Sequence, residues 1–172
     1  MDFALQLPVN KLSFGQVSVC ILQEIYKKGL EPSLFPINQD IDSFTLSKDF
    51  VSWLKSCINK GPKVHKRENP VFALWHLNAV GMGSVSHKRV MLSFYELDSP
   101  TKAEVNIASN IDKLFFTTQH SIDVFSDHGI KSNLMHLGFD KFHFKKLDKK
   151  YFDDDRIVFN LCGKLEKRKR HN

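Results

Sequence analysis

Five cations crowd one short stretch of the 172-residue sequence: Lys164, Lys167, Arg168, Lys169 and Arg170, just after the apolar run Arg156 to Gly163 (RIVFNLCG). An apolar strand that runs into a glycine and then into basic residues is how a phosphate-holding βα turn begins. On a helix Lys164 and Arg168 are i,i+4 neighbours, so they can grip one diphosphate together, with Lys169 alongside. The loop from Asn10 to Gly15 (NKLSFG) offers a second anion locus, because it enters a helix N-terminus and Gly15 permits close approach. His76 ends the otherwise apolar run Pro70 to Leu77, where its two ring nitrogens suit either a structural partner or a substrate hydroxyl. Glu96 and Asp98, two apart on extended chain, face one side; they read as a general base or hydroxyl acceptor, or as an acidic turn leading a helix.

Other chemistries lack their residues. There is neither a GxGxxG nor a Walker lysine, which disfavours dinucleotide and P-loop functions, and no HExxH or paired CxxC, so no metal is expected. Cys20, Cys57 and Cys162 are odd in number and far apart, the pattern of reduced thiols in a cytoplasmic protein; all three read as small core residues. No run approaches the apolar length that spans a bilayer, and the N-terminus has no signal-peptide pattern. Charge is uneven: residues 1–140 are balanced, whereas residues 141–172 hold 11 Lys and Arg against 5 Asp and Glu. That tail suits phosphate, an anionic membrane surface, nucleic acid or plain solvation.

The elements that must position these groups alternate. Phe3 to Val9 reads as a buried strand, and Phe14, Val17, Ile21, Leu22 and Ile25 make one face of a helix that Ser13 and Gln16 cap and Gly29 stops. Leu30 to Ile37 is a strand whose Pro32 and Pro36 point to an end or edge position rather than the sheet centre. Ser47 caps a second helix, with Phe50, Leu54, Cys57 and Ile58 inward, that ends before Gly61-Pro62. Pro70 to Leu77 is the central strand, followed by a glycine-bearing loop from Asn78 to His87 that shapes a site. Val90 to Tyr95 is the fourth strand; Ser99-Pro100, or Thr101 with Glu104, opens the next helix. Asp112 to Thr117 is the fifth strand, Thr118 caps a helix that Gly129 ends, and Ser132 to Leu137 is the sixth.

Strands alternating with helices predict an α/β fold with a doubly wound parallel sheet. In such sheets ligands bind beyond the carboxyl ends of the strands. That edge gathers Asn10 and Ser13, His76 and Asn78, Glu96 and Asp98, and Thr118, Gln119 and His120. Residues 1–140 are expected to form this domain, 141–155 a linker, and 156–172 the truncated beginning of a second Rossmann-like domain.

Three places resemble the N-terminal half of GT-B glycosyltransferases of the family 4 type, the retaining, glycogen synthase-like group. The first strand leading to Ser13-Phe14-Gly15 and a long helix is similar to the family's glycine-bearing loop near the donor phosphate. His136-Leu-Gly-Phe-Asp140 looks like the family's Pro-Asn-Gly-Val-Asp turn closing the first domain. Phe159 to Lys169 looks like its G-R-L-x-x-x-K-G opening of the donor-binding domain, with Lys164 in place of the usual arginine and Arg170 in place of the last glycine. Lysine keeps the charge and loses the bidentate fork.

The resemblance implies transfer of a sugar from a nucleotide-sugar donor to a glycan, lipid or protein acceptor with retention at the anomeric carbon. It implies no tightly bound cofactor, the nucleotide sugar being a substrate. Gly15 is then on the donor's phosphate side, His76 beside the transferred sugar, and Lys164, Arg168 and Lys169 on the diphosphate. Asn10, Ser13, Asn78, Glu96, Asp98, Thr118 and His120 are the acceptor-side candidates. The chain alone is expected to be inactive without a C-terminal domain as partner. The competing expectation is a small α/β binding module whose basic tail docks on nucleic acid or acidic lipid; the balanced charge of residues 1–140 weighs against it.

Overall fold

A computed structural model describes residues 3–41 and 45–138. Six strands form one sheet: β1 (Ala4–Val9), β2 (Ser33–Gln39), β3 (Val71–Leu74), β4 (Arg89–Ser93), β5 (Lys113–Phe116) and β6 (Ser132–Leu134). Among the described residues five helices connect them: α1 (Ser13–Lys27), α2 (Lys48–Val64), α3 (Ala79–Met82), α4 (Lys102–Ser109) and α5 (Gln119–Ser126). Every pairing is parallel and the order is β2-β1-β3-β4-β5-β6, so the architecture is a doubly wound, Rossmann-like α/β sheet. The order reverses between β1 and β3, which is therefore the switch point. The proline-bearing β2 is an edge strand, paired with β1 alone, as Pro36 requires.

Side-chain alternation sorts the apolar residues onto two faces. On β3 and β4, Leu74 and Leu92 join one core with α1 and α2, while Ala73 and Met91 join another with α4 and α5. Leu22, Leu54 and Leu34 are fully buried in the first core, Phe116 and Phe125 in the second. Each contributes roughly 1.5–3 kcal/mol by leaving water. Because both faces are covered, the central strands read as continuous apolar runs rather than as alternating ones.

Local signals place the helices with three corrections. The expected cap at Ser13 is absent: α1 starts there with Leu12 at the N-cap, and no side chain caps it. Instead Asn10 Oδ1 accepts from Leu12 N at 2.9 Å, and Gln16 Nε2 donates to Lys11 O at 2.9 Å. The short side chain of Asn10 closes a turn onto Leu12, and Ser13 falls inside the helix. Secondly, α2 continues through Gly61-Pro62 to Val64. Its last turn is held because the side-chain position of Gly61 faces β2, within 3.0 Å of Leu34 O; packing overrides the breaker. Thirdly, α3 forms inside the expected loop from Asn78 to His87, with Met82 N donating to Asn78 O. At α4 the Thr101–Glu104 capping box forms, rather than a start at Ser99-Pro100. Cys57 is in the core, but Cys20 is only half-buried, because it lies at the margin of the buried face of α1. Cys162 lies outside the described residues.

Candidate functional site

Because all strands are parallel, their carboxyl ends share one edge, and the loops leaving β1, β3, β4 and β5 carry the predicted polar set to it. Asn10 directly follows β1 and is buried, its Oδ1 committed to the turn. Ser13 opens α1 and is exposed. The first N–H groups of a helix have no intrahelical acceptor, so α1 brings orphan donors to this edge beside the switch point. Gly15 is buried, and what presses on it is the chain itself: a Cβ there would meet the Asn10 carbonyl oxygen and lie 2.6 Å from Asn10 Oδ1. The glycine lets β1 and α1 close on each other.

Beyond β3 the chain turns outward, leaving His76 and Asn78 exposed. The His76 ring does not hydrogen-bond within the described residues; it rests on Phe14, with centroids 4.4 Å apart, and meets Trp75 edge-on at 5.5 Å. Phe14 in turn stacks on Phe94, beyond β4, at 4.2 Å. Between the ends of β1, β3 and β4, the half-buried Trp75 and Phe94 thus pack on the buried Phe14 as an aromatic floor, and the exposed imidazole of His76 lies against it.

The remaining predicted residues are on the rim. Glu96 and Asp98 follow β4 and are exposed. His120 Nε2 lies 3.4 Å from Asp98 Oδ1, so the loop after β4 is joined to the first turn of α5. Thr118 caps α5: its Oγ1 accepts from Ser121 N and shares a hydrogen bond with Ser121 Oγ. Ser121 Oγ donates to Tyr95 O at 2.9 Å, fixing α5 to the end of β4. Gln119 is turned to Asp123 of its own helix at 2.7 Å. Lys164, Lys167, Arg168, Lys169 and Arg170 lie outside the described residues.

Neither a family model nor a curated protein matches the chain. Among the described residues, no cluster of three or more His, Cys, Asp or Glu side chains could hold a metal, and no helix is long and apolar enough to cross a membrane.

Sequence reasoning missed three polar atoms near this edge. Trp75 Nε1, Ser93 Oγ and Tyr95 OH are buried without a hydrogen-bond partner. The register Ala73 with Met91 and Leu74 with Leu92, continued one step, sets Trp75 beside Ser93 on one face of the sheet. Burial raises the Tyr95 pKa, and the nearby charges of Glu104 and Asp98 push it the same way, so the phenol is kept as a donor. The only signal in the sequence is the alternation of Ser93 and Tyr95 around Phe94, which reads equally well as plain strand.

Proposed function

We propose that this chain is the acceptor-side domain of a retaining, GT-B-type glycosyltransferase that uses a nucleotide-sugar donor. One observation carries the reading: at the switch point, the half-buried rings of Trp75 and Phe94, seated on the buried Phe14, lie among polar side chains. A hexose offers an apolar C–H face and a belt of hydroxyls, so it matches a surface of that kind. His76, Asn78, Glu96, Asp98 and His120 supply the rim, with carboxylates to accept from hydroxyls and imidazoles to donate or accept.

In this reading the sugar to be transferred sits against His76, and the donor's diphosphate is held by Lys164, Arg168 and Lys169. Those cations stabilise negative charge as it grows on the departing diphosphate, which lowers the barrier without forming a bond to the protein. Gly15 serves by keeping the α1 N-terminus close to the donor's phosphate side.

The test is ligand-observed NMR on the full chain with nucleotide sugars and free glycans. Nucleotide-sugar binding is expected to weaken roughly tenfold or more in Lys164→Ala/Lys169→Ala, as charge-assisted contacts to phosphate are lost. His76→Ala is expected to lose glycan contacts while the protein stays folded, because that ring is exposed. Absence of binding by every nucleotide sugar and glycan, or affinities unmoved by both variants, would reject the reading.

A further inference from the structure

Arg89 opens β4 at the edge of the sheet opposite the candidate site, and only 7% of it is exposed. A buried guanidinium ordinarily sits against a carboxylate or several acceptors, because desolvating the charge is costly. Here Nη1 donates to Met82 O at 3.3 Å, and the buried Nε has no partner. Asp112 is close, yet its Oδ2 accepts from the Arg89 backbone N at 2.7 Å, and no ion pair joins the two side chains among the described residues. Burial accordingly lowers the Arg89 pKa.

The guanidinium lines a cavity of about 160 Å³, with Ser84, Ser86, His87, Asn110 and Asp112 around it. Its wall is fixed: Ser84 Oγ donates to Ser86 O at 2.8 Å, and Ser86 Oγ is 3.0 Å from His65 Nε2, which also contacts Val85 O. A preformed cavity lined by a buried cation that no carboxylate pairs is what a small anion needs.

We propose that this cavity binds a small oxyanion, a carboxylate or a phosphate, on the Arg89 guanidinium. The planar fork matches either group, and the part of the guanidinium that lines the cavity meets it there. The cavity is across the sheet from the switch point, so this inference is independent of the sugar-transfer reading.

Calorimetric titration of the full chain with acetate and with inorganic phosphate tests it. Saturable binding is expected, weakened roughly ten- to hundredfold in Arg89→Met; whichever probe binds more tightly and is lost in that variant identifies the source of the oxyanion. Should Arg89→Met fail to fold, Asn110→Asp carries the test: this exposed position lines the cavity, and a second carboxylate there must also weaken binding. Phosphate bound equally by the wild type and the folded Arg89→Met variant would put it elsewhere, for instance on the basic stretch from Lys164 to Arg170, and would overturn the proposal. So would an affinity unchanged in Asn110→Asp, or the absence of saturable binding by both probes.

Discussion

Asn10 and Gly15 are fitted together: the space a side chain would occupy on Gly15 is filled by the carbonyl oxygen and Oδ1 of Asn10. Neither atom is the far end of a flexible chain, since one is backbone and the other is tied to Leu12 N. Gly15→Ala must therefore push α1 away from the end of β1. Overpacking of this kind costs about 1–3 kcal/mol, and urea denaturation should show it. A stability equal to wild type would mean that the turn accommodates a methyl group freely.

Phe14 links the first helix to the ends of β3 and β4 through contacts with Trp75, His76 and Phe94. Phe14→Ala removes that floor and leaves a void, so a loss of about 3–5 kcal/mol is expected. The same variant should lose glycan contacts in ligand-observed NMR. Retained contacts would show that the floor is not the binding surface.

Burial, reinforced by Glu31 and opposed by Lys60, raises the Cys57 thiol from its ordinary 9.0 to about 11. The folded protein therefore holds this proton more tightly than the unfolded chain. The associated stability is present below pH 9.0 and is lost as pH rises toward about 11. Stability measured by denaturation across that window should fall less steeply for Cys57→Ala than for wild type. In native protein at pH 8, iodoacetamide should label the half-buried Cys20 well before the buried Cys57.

Two caps that look alike in the sequence differ in the fold. Thr101 makes both hydrogen bonds of a capping box with Glu104, whereas Ser13 makes no cap bond at all. Thr101→Ala should cost about 1 kcal/mol. Ser13→Ala should stay within about 0.5 kcal/mol, the ordinary range for an exposed site. Equal losses in thermal melts would contradict this assignment of the caps.

The elements were legible where local chemistry decides them. Thr118 and Ser47 cap α5 and α2, and Gly29 and Gly129 take positive φ just past α1 and α5. Local rules misled where two of them competed within a few residues. At Asn10 an Asx-type turn set the start of α1 one residue early, and Gln16 N, the donor expected for Ser13, bonds Leu12 O; at Gly61 contact with β2 outweighed the stop signal.

The sequence by itself determined the periodicities, hence the alternation of strands and helices, and the clustering of polar residues after apolar runs. A period of two or 3.6 is a local property, and it is written residue by residue. Tertiary structure alone decided the order β2-β1-β3-β4-β5-β6, and with it which loops meet at the switch point. Strand order follows from which faces bury together across long crossovers, a relation between distant residues that no window of sequence contains. The same reason hid Arg89: an arginine at the start of a strand reads as a solvated charge until α3 and the loop before β4 fold over it.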